Sequence, residues 1–238
     1  MSYLFHAYYA ISEPERCFEF HTGHSKILEE LGITNLTSNK PTWMDDPDVV
    51  VISAYDINSM ELVGGIRVHK YNTTHNLPII EAIKYQDPNV EDLFHKYREL
   101  GVVESCGLWN SKRVYGKGIS PLLARCSVAL SAVFDPKYVV CFSAPYTLRM
   151  ISRLGFTPIM SIGQDGQFPY PTEKFISSAL VINDLYTLTN AVESERERIF
   201  SLMSNPKQKF LEQPQGKELK ITYNLLEAID VEKRRDEF

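Results

Sequence analysis

The stretch of sequence that decides the fold is Arg113-Val114-Tyr115-Gly116-Lys117-Gly118-Ile119. It lies between a short apolar run, Val102 to Trp109, and a strongly amphipathic segment that begins at Ile119. An Arg-x-x-Gly-x-Gly loop between a strand and a helix directs several backbone N–H groups and the positive end of the helix dipole at one point. The glycines permit close approach and backbone angles that a Cβ would obstruct. The stretch therefore predicts a phosphate-binding loop.

The spacing of the glycines excludes two common phosphate loops. A nucleoside triphosphate loop needs Gly-x-x-x-x-Gly-Lys-Ser/Thr, which this stretch does not fit. A dinucleotide loop needs Gly-x-Gly-x-x-Gly, but Pro121 stands where the third glycine is required.

The sequence after the loop predicts a helix followed by a buried strand. Apolar residues recur at helical spacing at Ile119, Leu122, Leu123, Cys126, Leu130, Val133 and Phe134. Pro121 falls in the first turn, where its missing N–H costs nothing, and Asp135-Pro136 ends the helix. The apolar run Tyr138 to Phe142 then reads as a buried strand. A second short helix opens at Ser143-Ala144-Pro145 and ends at Gly155-Phe156.

This order of elements resembles the core of the Gcn5-related N-acetyltransferase superfamily, whose acyl-CoA pyrophosphate loop is Arg/Gln-x-x-Gly-x-Gly/Ala. Arg153-Leu154-Gly155-Phe156 is similar to that superfamily's Lys-Leu-Gly-Phe ending. The resemblance implies an α/β fold with a mixed, mostly antiparallel central sheet flanked by helices. It also implies direct transfer of an acyl group from acetyl-CoA or another acyl-CoA to a small-molecule amine.

A second stretch, Trp43 to Pro78, resembles the N-acyl amino acid synthases and the autoinducer (acyl-homoserine lactone) synthases of the same superfamily. The matching residues stand in the expected order: Asp45-Asp46-Pro47-Asp48, Asp56, Val63-Gly64-Gly65-Ile66-Arg67 and Leu77-Pro78. Val103-Glu104-Ser105 lies where those families have Glu-Leu-Ser-Arg, but Cys106 replaces the arginine. The intact phosphate loop favours acyl-CoA over acyl carrier protein as the donor and argues against a lactone product.

Glu104 is the candidate general base. An alkylammonium must lose a proton before it attacks a thioester, and a nearby carboxylate can accept that proton. Strand alternation predicts that Glu104, Cys106 and Leu108 share one face. The alternative is a glutamate that faces solvent or an ion-pair partner.

The resemblance also implies a set of residues that bind CoA. Leu108 and Trp109 offer backbone groups to the pantetheine arm, and Ser143 lies near the thioester, where Ser143 and Tyr146 are weak candidates for protonating the leaving thiolate. The pyrophosphate contacts come from the loop and the helix start, namely Arg113, Val114, Tyr115, Gly116, Lys117, Gly118 and Ile119. Carboxylates are preferred at a helix start, so the cations Arg113 and Lys117 predict an anionic partner. The superfamily's usual tyrosine acid is absent, because Ile151 occupies its position.

Length and composition indicate one ordinary globular domain. The chain has 238 residues with 44% hydrophobic content, enough for one sizeable core. We expect a single acyltransferase domain over residues 1–205 and a polar C-terminal extension over residues 206–238. The net charge of −5 gives no indication of a nucleic-acid partner, and a homodimer is left open.

The sequence also predicts that disulfides, a metal site, a membrane span and a signal peptide are absent. The four cysteines form no Cys-x-x-Cys pair and the six histidines show no metal spacing, so we expect free thiols and no metal site. No apolar run reaches membrane-spanning length, and the first residues lack the features of a signal peptide, so a cytoplasmic protein is expected.

The sequence leaves three functions open. The first is an N-acyltransferase that moves an acetyl or other short acyl group from CoA to an amine, with Glu104 as base. The second is a long-chain N-acyl amino acid synthase or an enzyme similar to the autoinducer synthases. The third is a sensor that binds acyl-CoA without turnover.

Overall fold

The structure is a computed structural model that describes residues 1–33 and 36–226. Ten strands contribute to one sheet, and six α-helices join or cover them. The strands are Ser2–Tyr9 (β1), Val49–Asp56 (β2), Leu62–Lys70 (β3), Val102–Asn110 (β4), Tyr138–Ser143 (β5), Thr157–Pro158 (β6), Gln167–Pro169 (β7), Ile176–Ile182 (β8), Lys207–Glu212 (β9) and Leu219–Asn224 (β10). The helices are Pro14–Glu30 (α1), Pro78–Ile83 (α2), Asn89–Glu99 (α3), Ile119–Ser131 (α4), Leu148–Ser152 (α5) and Glu193–Ser204 (α6).

The sheet is mixed and mostly antiparallel, as the sequence predicted. Its order is β6-β8-β5-β4-β3-β2-β1-β10-β9, and β7 also pairs with β8. Two neighbouring pairs are parallel, β4 with β5 and β1 with β10. The parallel pair β4–β5 is joined through α4, since parallel strands need a crossover connection.

Helices cover both faces of the sheet. On one face, α4 and α6 pack on apolar side chains of β1 to β5 and form the largest core cluster. On the other face, α2 and α3 cover β4, β5 and β8, while α1 and Trp43 cover β2 and β3. The buried side chains of Arg67, His69 and Glu104 lie on neighbouring strands β3 and β4.

The described helices and strands follow the sequence prediction through the middle of the chain. The α4 helix begins at Ile119, directly after Gly118, and β5 begins at Tyr138, both as expected. Gly118 takes the N-cap position with a left-handed φ of 86°, a conformation that glycine adopts without cost.

The ends of the chain differ from the sequence prediction. Residues 2–9 form β1 in the middle of the sheet path, and the polar-looking segment after residue 205 forms β9 and β10 in the same sheet. β10 pairs with β1, from Ser2 opposite Lys220 to His6 opposite Asn224. A partner from the opposite end of the chain leaves no local signature, although Leu219, Ile221 and Tyr223 of β10 alternate with polar residues. The charged run Glu232 to Glu237 lies outside the described residues.

A buried ion cluster attaches the β9–β10 hairpin to the helices. The Glu212 carboxylate accepts hydrogen bonds from Arg125 of α4 and Arg198 of α6, each at 2.7 Å, and from the Tyr223 hydroxyl at 2.6 Å. Arg125 also binds Glu195 at 2.7 Å. Burial favours the neutral form of Glu212, but Arg125, Tyr223 and Arg198 outweigh it and lower the pKa of this carboxyl.

Replacing Glu212 by alanine should destabilise the protein by about 3–5 kcal/mol, because two buried guanidinium groups lose their shared partner. Urea unfolding at pH 7 measures this, with the exposed Glu197→Ala as the matched control. The lowered pKa makes the contribution of Glu212 present above its ordinary value of 4.5 and lost as the pH falls through the folded value. A Glu212→Ala protein as stable as the Glu197→Ala protein at pH 7 would contradict the assignment.

Candidate functional site

The centre of the site is a gap between two parallel strands. β4 and β5 pair over three residues, Val102 with Tyr138, Val103 with Val139 and Glu104 with Val140. Beyond that point β4 continues against β3, and β5 continues against β8. Among the described strands, the β4 segment 105–110 and the β5 segment 141–143 therefore have no partner on their facing sides. Unpaired backbone N–H and C=O groups of this kind need a partner, and an extended ligand in the gap would supply one.

A β-bulge at Gly107 changes the direction of the side chains along β4. Gly65 lies opposite Trp109 and Arg67 opposite Cys106, so the single residue Ile66 on β3 stands opposite two residues, Gly107 and Leu108, on β4. Gly107 has a left-handed φ of 63°. The expectation that Leu108 shares a face with Glu104 is wrong, because the extra residue turns Leu108 towards the cluster under α4. Glu104 and Cys106 lie on the same face as expected, and the bulge returns Trp109 to it.

Glu104 is buried exactly where the strands separate, with 2% of its surface exposed. Its Oε2 accepts a hydrogen bond from the backbone N–H of Ile79, in the first turn of α2, at 2.9 Å. Burial raises the pKa of Glu104 to about 8, although the Ile79 N–H and the charge of Arg67 partly oppose this rise. The carboxyl therefore changes protonation near the pH at which a general base operates.

Arg67 is the second buried charge of the site. It is 1% exposed, its Nη2 donates to the Ser38 carbonyl, and its guanidinium stacks on the Trp43 ring at 4.1 Å. The side chain of Arg67 also lies 5.6 Å from the Phe20 ring centroid. Its Nε and Nη1 have no hydrogen-bond partner among the described residues. Leaving buried charged donors unpaired is costly, so this arrangement favours an acceptor group that the protein itself does not supply.

His69 completes a block of four side chains on this face. The strand register places His69 opposite Glu104 and Arg67 opposite Cys106, so the four side chains are neighbours. Burial and the charge of Arg67 hold the pKa of His69 well below its ordinary value, which leaves the ring neutral. Its Nε2 is also without a partner among the described residues. The face thus combines one carboxyl group with two unpaired donor nitrogens of Arg67 and one unpaired ring nitrogen of His69.

The predicted phosphate loop stands at the N-terminus of α4, with Val114 and Ile119 buried in the main core. The side chains of these two residues therefore pack inwards, so only their backbone groups face a ligand. Gly116 has a left-handed φ of 66° and open space where a Cβ would stand. Tyr115 is half exposed.

The cations of the loop differ in their partners. Arg113 pairs with Glu61 of the β2–β3 turn, and Lys112 pairs with Glu30 of α1 at 3.0 Å. The sequence predicted an anionic partner for Arg113, and the protein itself provides one. Lys117 has no carboxylate oxygen within 4.0 Å among the described residues. Lys117 therefore has no carboxylate counterion among the described residues.

Ser143 lies at the end of β5, where the gap opens. Its hydroxyl exchanges a hydrogen bond with the Thr147 hydroxyl at 2.8 Å, and Ser143 is 5% exposed. Tyr146 points to solvent with 76% of its surface exposed, and the buried Ile151 holds no acidic group. Glu104 lies at the closed end of the gap and Ser143 at the far end of β5, while Tyr146 is exposed to solvent.

Sequence reasoning assigned no role to four residues that the structure brings together: Arg67, His69, Trp43 and Tyr170. The Tyr170 hydroxyl accepts from the Thr37 backbone N–H at 2.7 Å, and its ring lies 5.2 Å from Phe142 of β5. Arg67 belongs to the Val-Gly-Gly-x-Arg motif, and its position on the same face as Glu104 was readable from strand alternation. The roles of Tyr170 and Trp43 depend on loops, which carry no such periodic signal.

The described residues were also considered as metal ligands and as membrane-spanning helices. Within residues 1–33 and 36–226, no group of three or more His, Cys, Asp or Glu side chains is arranged to hold a metal ion. In the same residues, none of the helices has the length and apolar character needed to cross a membrane.

Solved structures with the same fold include several acyltransferases. FeeM, an N-acyl amino acid synthase from uncultured soil microbes, superposes with a TM-score of 0.55 and 18% identity over 78% of this chain and 99% of that chain. BjaI, a CoA-dependent acyl-homoserine lactone synthase with SAM and isopentyl-CoA, also gives a TM-score of 0.55, with 16% identity over 98% of this chain and 99% of that chain. MesI, another CoA-dependent acyl-homoserine lactone synthase, gives 0.50 with 11% identity over 83% and 93%.

These similarities confirm the fold that the sequence predicted. No protein-family model matches the chain, and no curated protein matches it in sequence.

Proposed function

We propose that the protein is an N-acyltransferase that moves a short acyl group from acyl-CoA to an amine. The observation that carries the proposal is the gap between β4 and β5, with Glu104 buried at its apex and the 113–118 loop beside it. Structures of the same fold include proteins described as CoA-dependent, one of them holding isopentyl-CoA. The pantetheine arm would lie in the gap, and the pyrophosphate would lie at the N-terminus of α4.

The proposed reaction is a direct transfer. The amine nitrogen bonds to the thioester carbonyl carbon, the carbon–sulfur bond breaks, and CoA leaves as its thiolate. Glu104 accepts the proton that the amine loses, directly or through one water. Backbone N–H groups of the unpaired β4 segment would polarise the thioester carbonyl. We propose Ser143, at the end of β5, as the group that protonates the departing thiolate.

Binding of CoA at the loop is tested by Gly116→Asp. Aspartate tolerates the left-handed φ of 66°, and there is room for its side chain, but its carboxylate would repel the pyrophosphate. CoA should raise the melting temperature of the wild-type protein and leave that of Gly116→Asp unchanged. The neutral isostere Gly116→Asn is the matched control and should keep most of the shift. A full wild-type shift in Gly116→Asp would place CoA elsewhere.

The role of Glu104 is tested by Glu104→Gln, which preserves the acceptor for the Ile79 N–H and removes the proton acceptor. We expect kcat/KM to fall by about 10²–10⁴-fold. The wild-type rate should rise with pH around a midpoint near 8, since the raised pKa keeps Glu104 protonated below that value. The Gln variant should lack this rise, whereas the exposed Glu99→Gln should retain it. Equal rates and pH profiles for wild type and Glu104→Gln would exclude Glu104 as the base.

Aromatic packing beside the gap supports a short acyl group. Phe20 lies edge to face against both Trp43 and Trp109, with centroids 5.8 Å apart in each pair. Gly23 of α1 packs so closely on the Trp109 indole that a Cβ would not fit. This cluster packs around Trp109, near the end of the unpaired β4 segment. The intact phosphate loop also places most of the recognition on CoA itself.

Calorimetric titration with acetyl-CoA and decanoyl-CoA separates short from long donors. Each buried methylene contributes roughly 0.8 kcal/mol, so a true acyl tunnel would bind decanoyl-CoA far more tightly. We expect the two thioesters to bind within tenfold of each other, or decanoyl-CoA to bind less tightly. A preference of more than a hundredfold for decanoyl-CoA, about 2.7 kcal/mol, would instead support a long-chain N-acyl amino acid synthase.

A second candidate function, acylation of an amino acid, is supported by Arg67. Its unpaired Nε and Nη1 lie on the same face as Glu104, where a carboxylate would satisfy them with charge-assisted hydrogen bonds. An amino acid could then direct its amine towards Glu104 while Arg67 holds its carboxylate. FeeM, which shares the fold, is described as an N-acyl amino acid synthase.

The acceptor class is tested with matched pairs, in which each amino acid is compared with its own carboxamide. If Arg67 binds the carboxylate, the amino acid should be acylated about 10- to 100-fold more efficiently, since a hydrogen bond to a charged group contributes about 1.5–3 kcal/mol. If each amino acid and its carboxamide gave equal kcat/KM values, an amino acid would be excluded as the acceptor, and a simple amine would remain the proposed acceptor.

A further inference from the structure

The turn of the β9–β10 hairpin lies against the predicted phosphate loop. The ring of Pro214 packs so closely on Gly118 that the glycine has no room for a Cβ. Three residues later, the Lys217 Nζ donates a hydrogen bond to the Gly116 carbonyl at 2.7 Å. A segment from the far end of the chain thus contacts both glycines of the Arg-x-x-Gly-x-Gly loop.

The hairpin holds this position through the rigid part of the fold. Glu212, the last residue of β9, is buried and bonded to Arg125 on α4, the helix that begins at the same loop. On the other side of the turn, Lys220 of β10 pairs with Ser2 of β1. The β9 end of the turn is therefore held by α4 and the β10 end by β1. Lys217 lies between these two attachment points.

The charges around the loop leave two ammonium groups uncompensated. Arg113 and Lys112 are paired with Glu61 and Glu30. Among the described residues, neither Lys117 nor Lys217 has a carboxylate oxygen within 4.0 Å. The nearest carboxylate of the turn, Glu218, has an oxygen that accepts from Gln213 at 3.5 Å. Two ammonium groups without a carboxylate partner lie beside the N–H groups of a helix N-terminus. This arrangement favours the binding of an anion.

We propose that Lys217 binds a phosphate group of CoA and that the C-terminal hairpin is therefore part of the CoA site. This inference rests on the proposed function. A lysine ammonium carries three donors, so Lys217 can keep its bond to the Gly116 carbonyl and still donate to a phosphate oxygen. Because Lys217 is exposed and its stem is flexible, reaching the phosphate requires only a side-chain rotation.

The test compares Lys217→Met with Lys220→Met, an exposed lysine of the adjoining strand β10. Binding of CoA, 3′-dephospho-CoA and pantetheine is measured by calorimetry at low and moderate salt. We expect Lys217→Met to weaken CoA about tenfold or more, to leave pantetheine unchanged, and to reduce the salt dependence. An equal loss with dephospho-CoA would assign the contact to the pyrophosphate, and a loss confined to CoA would assign it to the 3′-phosphate.

Three results would overturn the inference, and they differ in what else they affect. If the wild type binds CoA and Lys217→Met binds it equally well, Lys217 has no role although the proposed CoA site stands. If Lys217→Met binds CoA more tightly, the hairpin turn competes with CoA and does not help to bind it. If the wild type binds no CoA, the proposed function fails and this inference fails with it.

Discussion

The separation of β4 from β5 beyond Glu104 and Val140 is the constraint on which the site depends. Three residue pairs hold the two strands in parallel, and each strand then follows a different neighbour. The bulge at Gly107 reinforces the divergence, because the extra residue bends β4 and increases its twist. A continuous ladder here would satisfy the backbone but would leave nowhere for an extended ligand. An extended ligand in the gap would supply the hydrogen bonds that the separated strands do not make with each other.

Two buried ionisable side chains, Glu104 and Arg67, lie close to the point where the strands separate. Glu104 is stabilised in its neutral form by burial, which suits a base that must pick up a proton during the reaction. Arg67 is kept in place by Trp43 and the Ser38 carbonyl, while part of its guanidinium remains unpaired among the described residues. Such unsatisfied groups are rare where only stability is selected, and they concentrate at functional sites.

Local signals in the sequence predicted the centre of the fold and missed its ends. The loop, α4 and β5 each carry a periodic pattern or a glycine with a defined backbone role, so their positions could be predicted residue by residue. Alternation placed Glu104 and Cys106 together but failed at Leu108, because a bulge at Gly107 adds one residue that a strict period of two cannot accommodate. Strands β9 and β10 were missed because they join the sheet through the pairing of β10 with β1, which comes from the opposite end of the chain. The contact of Lys217 with Gly116 follows from that long-range pairing.

Hydrogen exchange of the backbone amides with and without CoA tests the central claim most directly, because the gap is defined by unpaired backbone groups. We predict that CoA slows exchange in two segments, residues 105–109 of β4 and residues 116–120 at the start of α4. Amides of β2, which lies away from the gap and pairs with β1 and β3, should be unaffected. Protection confined to other parts of the protein, with both segments unchanged at saturating CoA, would contradict the assignment of the gap as the acyl-CoA site.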